Sequence, residues 1–377
     1  MATEKLIVKN FGPIREAELD LRKVTVLIGE QASGKSVVAK LVAICHDVKK
    51  IFPILVLGTS INAEKEIEEA FMESMDFYDI GGFSKVASMI YFLSDNYQLQ
   101  WNDNGLESQV LNHSLSAILQ KAASLTMNNS DRELSDEEAG KLGQGLYNLL
   151  GVVEYIPAER IVVSVSDWDE DNIHYIDEFS VKFQNRMKSQ EYFPLLIADN
   201  RFVNEHNRRK IQFKDKVIDY NKSSTGIQSL TPLQVIVETS NVSVNYLFII
   251  EEPELNLYPT TQKKLVEYLI EKCTKGDNRL IITTHSPYIL TALNNCIQAH
   301  NVAKLHPESV DEVNKLVPPQ YQIAYEDVSA YYVGGGTVKS IMNEEFQMID
   351  ANALDDISEE LSIVFDKLLD LKYQNQD

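Results

Sequence analysis

Three short runs carry side chains able to do chemistry on a phosphate. The first is Gly29-Glu30-Gln31-Ala32-Ser33-Gly34-Lys35-Ser36, followed by Val37. Its spacing is GxxxxGK[ST], and its glycines let the backbone wrap an anion with amide groups turned inward. In that pattern a lysine such as Lys35 reaches the β- and γ-phosphates of ATP, and a hydroxyl such as that of Ser36 ligates Mg²⁺. The second run, Leu247-Phe248-Ile249-Ile250-Glu251-Glu252, is an apolar stretch ending in two carboxylates. One acid at such an end can hold Mg²⁺ or its waters, and the next can orient an attacking water. The third, Leu280-Ile281-Ile282-Thr283-Thr284, delivers His285, a candidate hydrogen-bond partner of a γ-phosphate. A fourth run, Ser223-Ser224-Thr225-Gly226-Ile227-Gln228, reads locally as the capped start of a helix.

The elements that must position these runs are legible too. Val24-Thr25-Val26-Leu27-Ile28 is a continuous apolar, β-branched run, the mark of a strand buried on both faces. A helix is expected from about Gly34 to Lys49. The phosphate loop therefore joins a strand to a helix, whose N-terminus adds a partial positive charge. Upstream, Lys5–Lys9 and Glu16–Leu21 alternate around the break Phe11-Gly12-Pro13-Ile14. Downstream, a strand at Tyr246–Ile250, a helix at Thr260–Lys272, a strand at Arg279–Thr283 and a helix at Pro287–Asn294 make a βαβα run. That order predicts a parallel sheet, with the acids at the carboxyl edge of their strand beside the phosphate loop.

Four segments are expected. Residues 1–60 form an N-terminal ATPase lobe with the phosphate loop, and 61–150 a mainly helical insertion. Residues 151–350 complete the ATPase head, and 351–377 form a C-terminal helix. Within the insertion the pattern predicts an acidic helix at Asn62–Phe77, a strand at Tyr97–Trp101 closed by an Asn-Asp-Asn-Gly turn, and helices across Leu106–Met127 and Ser135–Leu150. Alternation returns at Val152–Ile156 and around Lys210–Val217. In the tail, Leu354, Ile357, Leu361, Val364, Leu368 and Leu371 form a 3-4-3-4-3 seam suited to packing on the protein itself or on a partner. The fold class expected is α/β: a P-loop NTPase with a mostly parallel sheet and flanking helices, an antiparallel N-terminal sheet and a helical insertion.

Composition narrows the function classes. Of 377 residues, 44% are apolar and 24% charged, an ordinary globular balance that buries a core without staples. The net charge is -21, which argues against nonspecific coating of nucleic acid, since that affinity comes from Lys and Arg neutralising phosphates. The best local basic run is Asn207-Arg208-Arg209-Lys210, read as a solvated face. Cys45, Cys273 and Cys296 are odd in number and contain no CxxC pair, so neither a disulfide framework nor a structural zinc is expected. The N-terminus carries no secretory pattern, and no apolar run approaches the ~20 residues that span a bilayer. A soluble, cytoplasmic protein with no membrane contact is expected.

The order of these motifs resembles the ABC-type ATPase heads of the SMC, RecF and OLD (overcoming lysogenization defect) proteins. Lys5–Ser36, with Asn10-Phe11-Gly12-Pro13-Ile14, is similar to that group's opening. Tyr155-Ile156-Pro157-Ala158-Glu159-Arg160 resembles a segment common in OLD-like ATPases. Glu251-Glu252-Pro253-Glu254-Leu255-Asn256-Leu257-Tyr258-Pro259 is similar to the Walker B and D-loop, and Thr284-His285-Ser286-Pro287 to the switch histidine. Ser223–Gln228 resembles a degenerate signature loop that lacks the second adjacent glycine.

The resemblance implies roles. Glu251 is the Mg²⁺-side acid and Glu252 the catalytic glutamate; Ser224 and Gly226 touch a γ-phosphate held by a second protomer; Asn256 and Leu257 lie at the dimer contact. Glu251 stands where aspartate is more general, and no Q-loop glutamine can be assigned. About ninety residues follow His285, and Asp355-Asp356 does not form the DxD of a Toprim nuclease. The expectation is an ATP-hydrolysing switch, homodimeric or higher, working with a separate protein effector in bacterial, including anti-phage, defence. The alternatives are a nucleotide-gated scaffold with negligible turnover, a RecF-like DNA-repair ATPase, and a transporter's nucleotide-binding subunit, against which the insertion and the Glu251-Glu252-Pro253-Glu254 run count.

Overall fold

A computed structural model describes residues 4–47, 64–127, 136–164, 175–188, 192–197, 200–205, 208–214, 216–240, 244–350 and 367. The seam proposed in the tail lies outside them, as does Asn207. The alternating N-terminal stretches form a hairpin, β1 (Glu4–Phe11) and β2 (Ile14–Leu21), with Leu6, Val8, Ala17 and Leu19 buried. Strand β3 (Val24–Ile28) is buried throughout, and helix α1 (Lys35–His46) starts at the phosphate loop. Helix α2 (Glu64–Phe77) precedes an antiparallel meander of β4 (Met89–Leu93), β5 (Tyr97–Asn102) and β6 (Gly105–Val110). Two helices follow, α3 (His113–Met127) and α4 (Asp136–Leu150), and then β7 (Val152–Ile156).

The helix expected from Leu106 begins only at His113. Leu106 instead pairs with Trp101 across a hairpin whose turn uses Gly105 at φ 109°, a backbone that suits glycine. The strands of segment 61–150 are not an appendage: β4 pairs with β1 and so widens the main sheet.

Helix α5 (Tyr175–Lys188) leads into a separate four-stranded antiparallel sheet of β8 (Tyr192–Pro194), β9 (Arg201–Glu205), β10 (Arg208–Phe213) and β11 (Lys216–Asp219). Helix α6 (Thr225–Glu238), β12 (Tyr246–Glu251), α7 (Pro259–Cys273), β13 (Arg279–Thr284) and α8 (Pro287–Leu305) then realise the βαβα run. The chain closes with α9 (Val310–Leu316), β14 (Val328–Gly334), β15 (Thr337–Ser340), and the short strands β16 (Met342–Asn343) and β17 (Met348–Ile349).

One eleven-stranded sheet organises the molecule, in the order β6-β5-β4-β1-β2-β15-β14-β3-β13-β12-β7. From β14 to β7 its strands are parallel; from β6 to β2 they are antiparallel; β15 joins the halves. This is a large α/β sheet of the P-loop NTPase type. One face packs Leu27, Leu247, Ile249 and Ile281 with Val38 and Leu41 of α1. The other packs Val26, Phe248, Ile250 and Ile282 with Leu233 of α6, Leu265 of α7 and Leu290 of α8. Cys45, Cys273 and Cys296 are buried and unpaired. Among the described residues no helix is long and apolar enough to cross a membrane.

Candidate functional site

β3, β13 and β12 are neighbours and run parallel, so their carboxyl ends share one edge of the sheet. That edge receives the phosphate loop after β3, Glu251 and Glu252 from β12, and His285 after β13. The register makes the meeting firm: Ile250 pairs with Ile282, and Thr284 with Ile28.

The loop's shape follows from its glycines and from β14. A Cβ on Gly29 would lie 2.0 Å from the Val333 carbonyl oxygen, so the loop rests on the end of β14, and no side chain fits there. Gly34 sits at φ 106° just before α1, against Pro13 and Ile14 of the N-terminal turn. Ala32 is also left-handed, at φ 58°. Glu30, Gln31, Ala32 and Ser36 are exposed, whereas Gly29, Gly34 and Lys35 are buried, and Val37 anchors α1 in the core. The Lys35 amine donates to the carbonyls of Gly29 (2.9 Å) and Glu30 (2.7 Å), closing the loop on itself. Burial pushes that amine's pKa down, against the opposing pull of Glu252, Glu254 and Glu251. The Ser33 hydroxyl is buried with no hydrogen-bond partner among the described residues.

Glu251 is 2% exposed, and burial pushes its carboxyl above the usual range. The Tyr155 hydroxyl, donating to its Oε1, opposes that rise, as do the Lys40 charge and a hydrogen bond with Ser36. Glu252 takes a left-handed backbone, φ 41°, and its amide donates to the Thr283 carbonyl at 2.9 Å. Its carboxylate lies 3.5 Å from His285 Nδ1. Glu254, 3% exposed, accepts from the Thr284 hydroxyl and from the His285 amide (3.2 Å), which ties the exit of β12 to the exit of β13. Burial also raises the Glu254 carboxyl. Ser286 caps α8, and its hydroxyl donates to Gln262 at 2.6 Å.

The edge thus brings together Lys35, Ser36, Glu251, Glu252 and His285. Ser224 and Gly226 sit elsewhere on the chain, at the start of α6. Ser224 is exposed at the N-cap position and makes no side-chain capping bond. A Cβ on Gly226 would stand 2.8 Å from the Asn256 carbonyl oxygen, so this turn packs on the loop after Glu252 within one chain.

Sequence reasoning assigned no role to Tyr155, Arg160, Lys40 or Glu254. Lys40 is 9% exposed and bonds the Tyr175 hydroxyl at 3.2 Å. A charged residue on the buried face of α1, one turn after Ser36, was the signal for it. Tyr155 and Arg160 belong to the Tyr155–Arg160 run, noticed in sequence without a job for its side chains.

The residues present fit a nucleoside triphosphate and a divalent cation: a glycine-bearing loop that opens a helix, a lysine amine for phosphate, and a buried carboxylate beside a hydroxyl. No curated protein matches the chain. Three similar solved structures are an SMC head domain from Thermotoga maritima (14% identity, 90% of this chain and 98% of that one, TM-score 0.41), an SmcHead bound to the C-winged helix domain of ScpA (12%, 92% and 99%, 0.41), and an Smc head domain with an extended coiled coil bound to the C-terminal domain of ScpA derived from Pyrococcus furiosus (12%, 96% and 100%, 0.40). Identities and scores this low carry nothing about activity or partners. The AAA ATPase domain model matches residues 1–81 and 62–290, most of the chain. With a phosphate loop, paired acids and a histidine on one edge of a parallel sheet, the chain belongs to the AAA ATPase domain family.

Proposed function

We propose that this chain is a Mg²⁺-dependent ATPase whose nucleotide cycle switches an assembly. The observation that supports it most is the shared edge of β3, β13 and β12, where Lys35, Ser36, Glu251, Glu252 and His285 meet. Lys35 exchanges its two loop carbonyls for β- and γ-phosphate oxygens, while residues 29–37 supply amides. Ser36 and Glu251 would hold Mg²⁺, which would supply charge neutralisation at the phosphates. Glu252 orients water as general base, and His285, whose Nδ1 lies 3.5 Å from the Glu252 carboxylate, hydrogen-bonds the γ-phosphate.

Ser224, exposed at the start of α6, and Gly226, packed on the loop after Glu252, serve the site of a second copy, so ATP closes a homodimer or higher homo-oligomer and hydrolysis opens it. The grouping with OLD-like ATPases, a separate protein effector, a defence role and a cytoplasmic location are parts of the same reading. The net charge of -21 does not support nucleic acid as a partner.

Light scattering tests the switch. Glu252→Gln with Mg-ATP should double in mass, and Ser224→Arg should not; a mass independent of ATP in both refutes the two-copy cycle.

A further inference from the structure

Among the described residues, the largest fully buried side chain outside the reacting groups is that of Arg160, 0% exposed. A guanidinium out of water is costly unless its donors are used. Here they are used on backbone carbonyls alone. Nε donates to Ser229 at 2.9 Å, Nη1 to Glu251 at 2.7 Å and to Pro157 at 3.0 Å, and Nη2 to Glu252 at 2.7 Å. Ser229 lies in α6, one turn after Gly226.

The sheet explains why an arginine is needed. Strand β7 ends at Ile156, which pairs with Ile250. Beyond it the chain leaves the strand at Pro157 and turns into the short 3-10 segment Ala158–Ser164, so no β7 residue continues the ladder beside Glu251. The carbonyls of Glu251 and Glu252 therefore leave the sheet's edge without the support of a next strand residue. Arg160, three residues on, supplies the donors from its side chain. Those two residues carry the acids of the site, and Glu252 sits in a left-handed backbone that needs holding. Burial draws the guanidinium pKa down to about 10, and the charges of Glu254, Glu251, Glu252 and Glu159 oppose it, so the group stays cationic at neutral pH.

We infer that Arg160 is a positioning residue for hydrolysis: its guanidinium fastens the backbone of Glu251 and Glu252 to the Ser229 carbonyl of α6, so that the acids and the Ser224–Gly226 turn move as one body. This rests on the hydrolytic reading of the site. It goes further in naming the part that couples the acids to α6. Arg160 touches no phosphate-loop residue through these bonds, so nucleotide affinity and turnover should separate.

The experiment uses the full chain with Arg160→Lys and Arg160→Ala. Each is measured for binding of a fluorescent ATP analogue, for kcat, and for melting temperature, with and without millimolar guanidinium chloride. Analogue affinity should stay within about threefold of the parent while kcat falls roughly 10- to 100-fold, the cost of small misplacement at a reacting centre. Guanidinium should restore part of the kcat of Arg160→Ala and none of that of Arg160→Lys. If Arg160→Ala does not fold, the affinity–kcat split in Arg160→Lys carries the result. Unchanged kcat overturns the inference, and so does a kcat that falls only in step with affinity and folded fraction, with no guanidinium rescue. A parent that binds the analogue but never turns ATP over overturns the hydrolytic reading itself, and this role with it.

Discussion

Replacing Tyr155 by phenylalanine removes one oxygen and tests what opposes the protonation of Glu251. Tyr155 is 8% and Glu251 2% exposed, so water is a poor substitute for the lost hydroxyl. In the parent, burial raises the Glu251 carboxyl and the Tyr155 hydrogen bond is the first influence opposing it. A hydrogen bond to a charged group contributes about 1.5–3 kcal/mol, and each 1.4 kcal/mol is about one pH unit. The variant should therefore hold a proton on Glu251 to a pH roughly one to two units higher. Two readouts follow, since the protonated acid cannot serve a cation. The acid limb of the ATPase pH profile should move up by about one unit, and half-saturating Mg²⁺ at neutral pH should rise roughly tenfold. Stability moves the other way from the ordinary carboxylate. A raised carboxyl opposes folding above its unfolded pKa, so Tyr155→Phe should lose most stability at neutral pH and regain it as pH falls. A pH profile and Mg²⁺ dependence that both match the parent would refute this account of Glu251.

Glu4 behaves oppositely. Burial raises its carboxyl, but His46 and Arg279 together bring it down from 4.5 to about 2. Its contribution, on the order of 3 kcal/mol, is fully present above pH ~4.5 and lost as pH falls toward 2. Urea unfolding should therefore show a gap between parent and Glu4→Gln that narrows between neutral pH and pH 3; a constant gap contradicts the ion-pair reading. Gly226→Ala drives a Cβ to 2.8 Å from the Asn256 carbonyl, a backbone atom that yields poorly. It should cost about 1–3 kcal/mol and several degrees of melting temperature, together with turnover, and an unchanged melt would show that the α6 turn and the loop after Glu252 are not tightly packed.

How far the sequence reached depended on how local each signal was. The phosphate loop, the all-apolar β3 and β12, and His285 after β13 are written in runs of five to eight neighbouring residues, and the edge they share follows from the βαβα order. The Tyr97–Asn102 strand was legible for the same reason, while Leu106–Val110 was not, because a hairpin partner decides its state. Strand β14 was missed although Val328–Gly334 is β-branched and aromatic and ends in Gly334-Gly335-Gly336, a readable boundary. Its place beside β3 brings Val333 under Gly29, a contact between residues three hundred apart. Helix α8 was stopped too soon at Asn294. That side chain does not end the helix; it exchanges hydrogen bonds with the backbone of Ile349 in β17. Arg160 is the clearest case of chemistry invisible in one dimension. Its acceptors come from residues 157, 229, 251 and 252, and only the fold assembles them.

The central claim is that the edge formed by β3, β13 and β12 binds ATP through Lys35 and hydrolyses it through Glu252. The direct measurement is equilibrium ATP binding beside Mg-ATP turnover for the parent, Lys35→Ala and Glu252→Gln. The account predicts that Lys35→Ala loses tight binding while folded, and that Glu252→Gln keeps binding while kcat falls roughly 10²- to 10⁴-fold. Parent-level turnover in Glu252→Gln, or unchanged ATP affinity in Lys35→Ala, would contradict it.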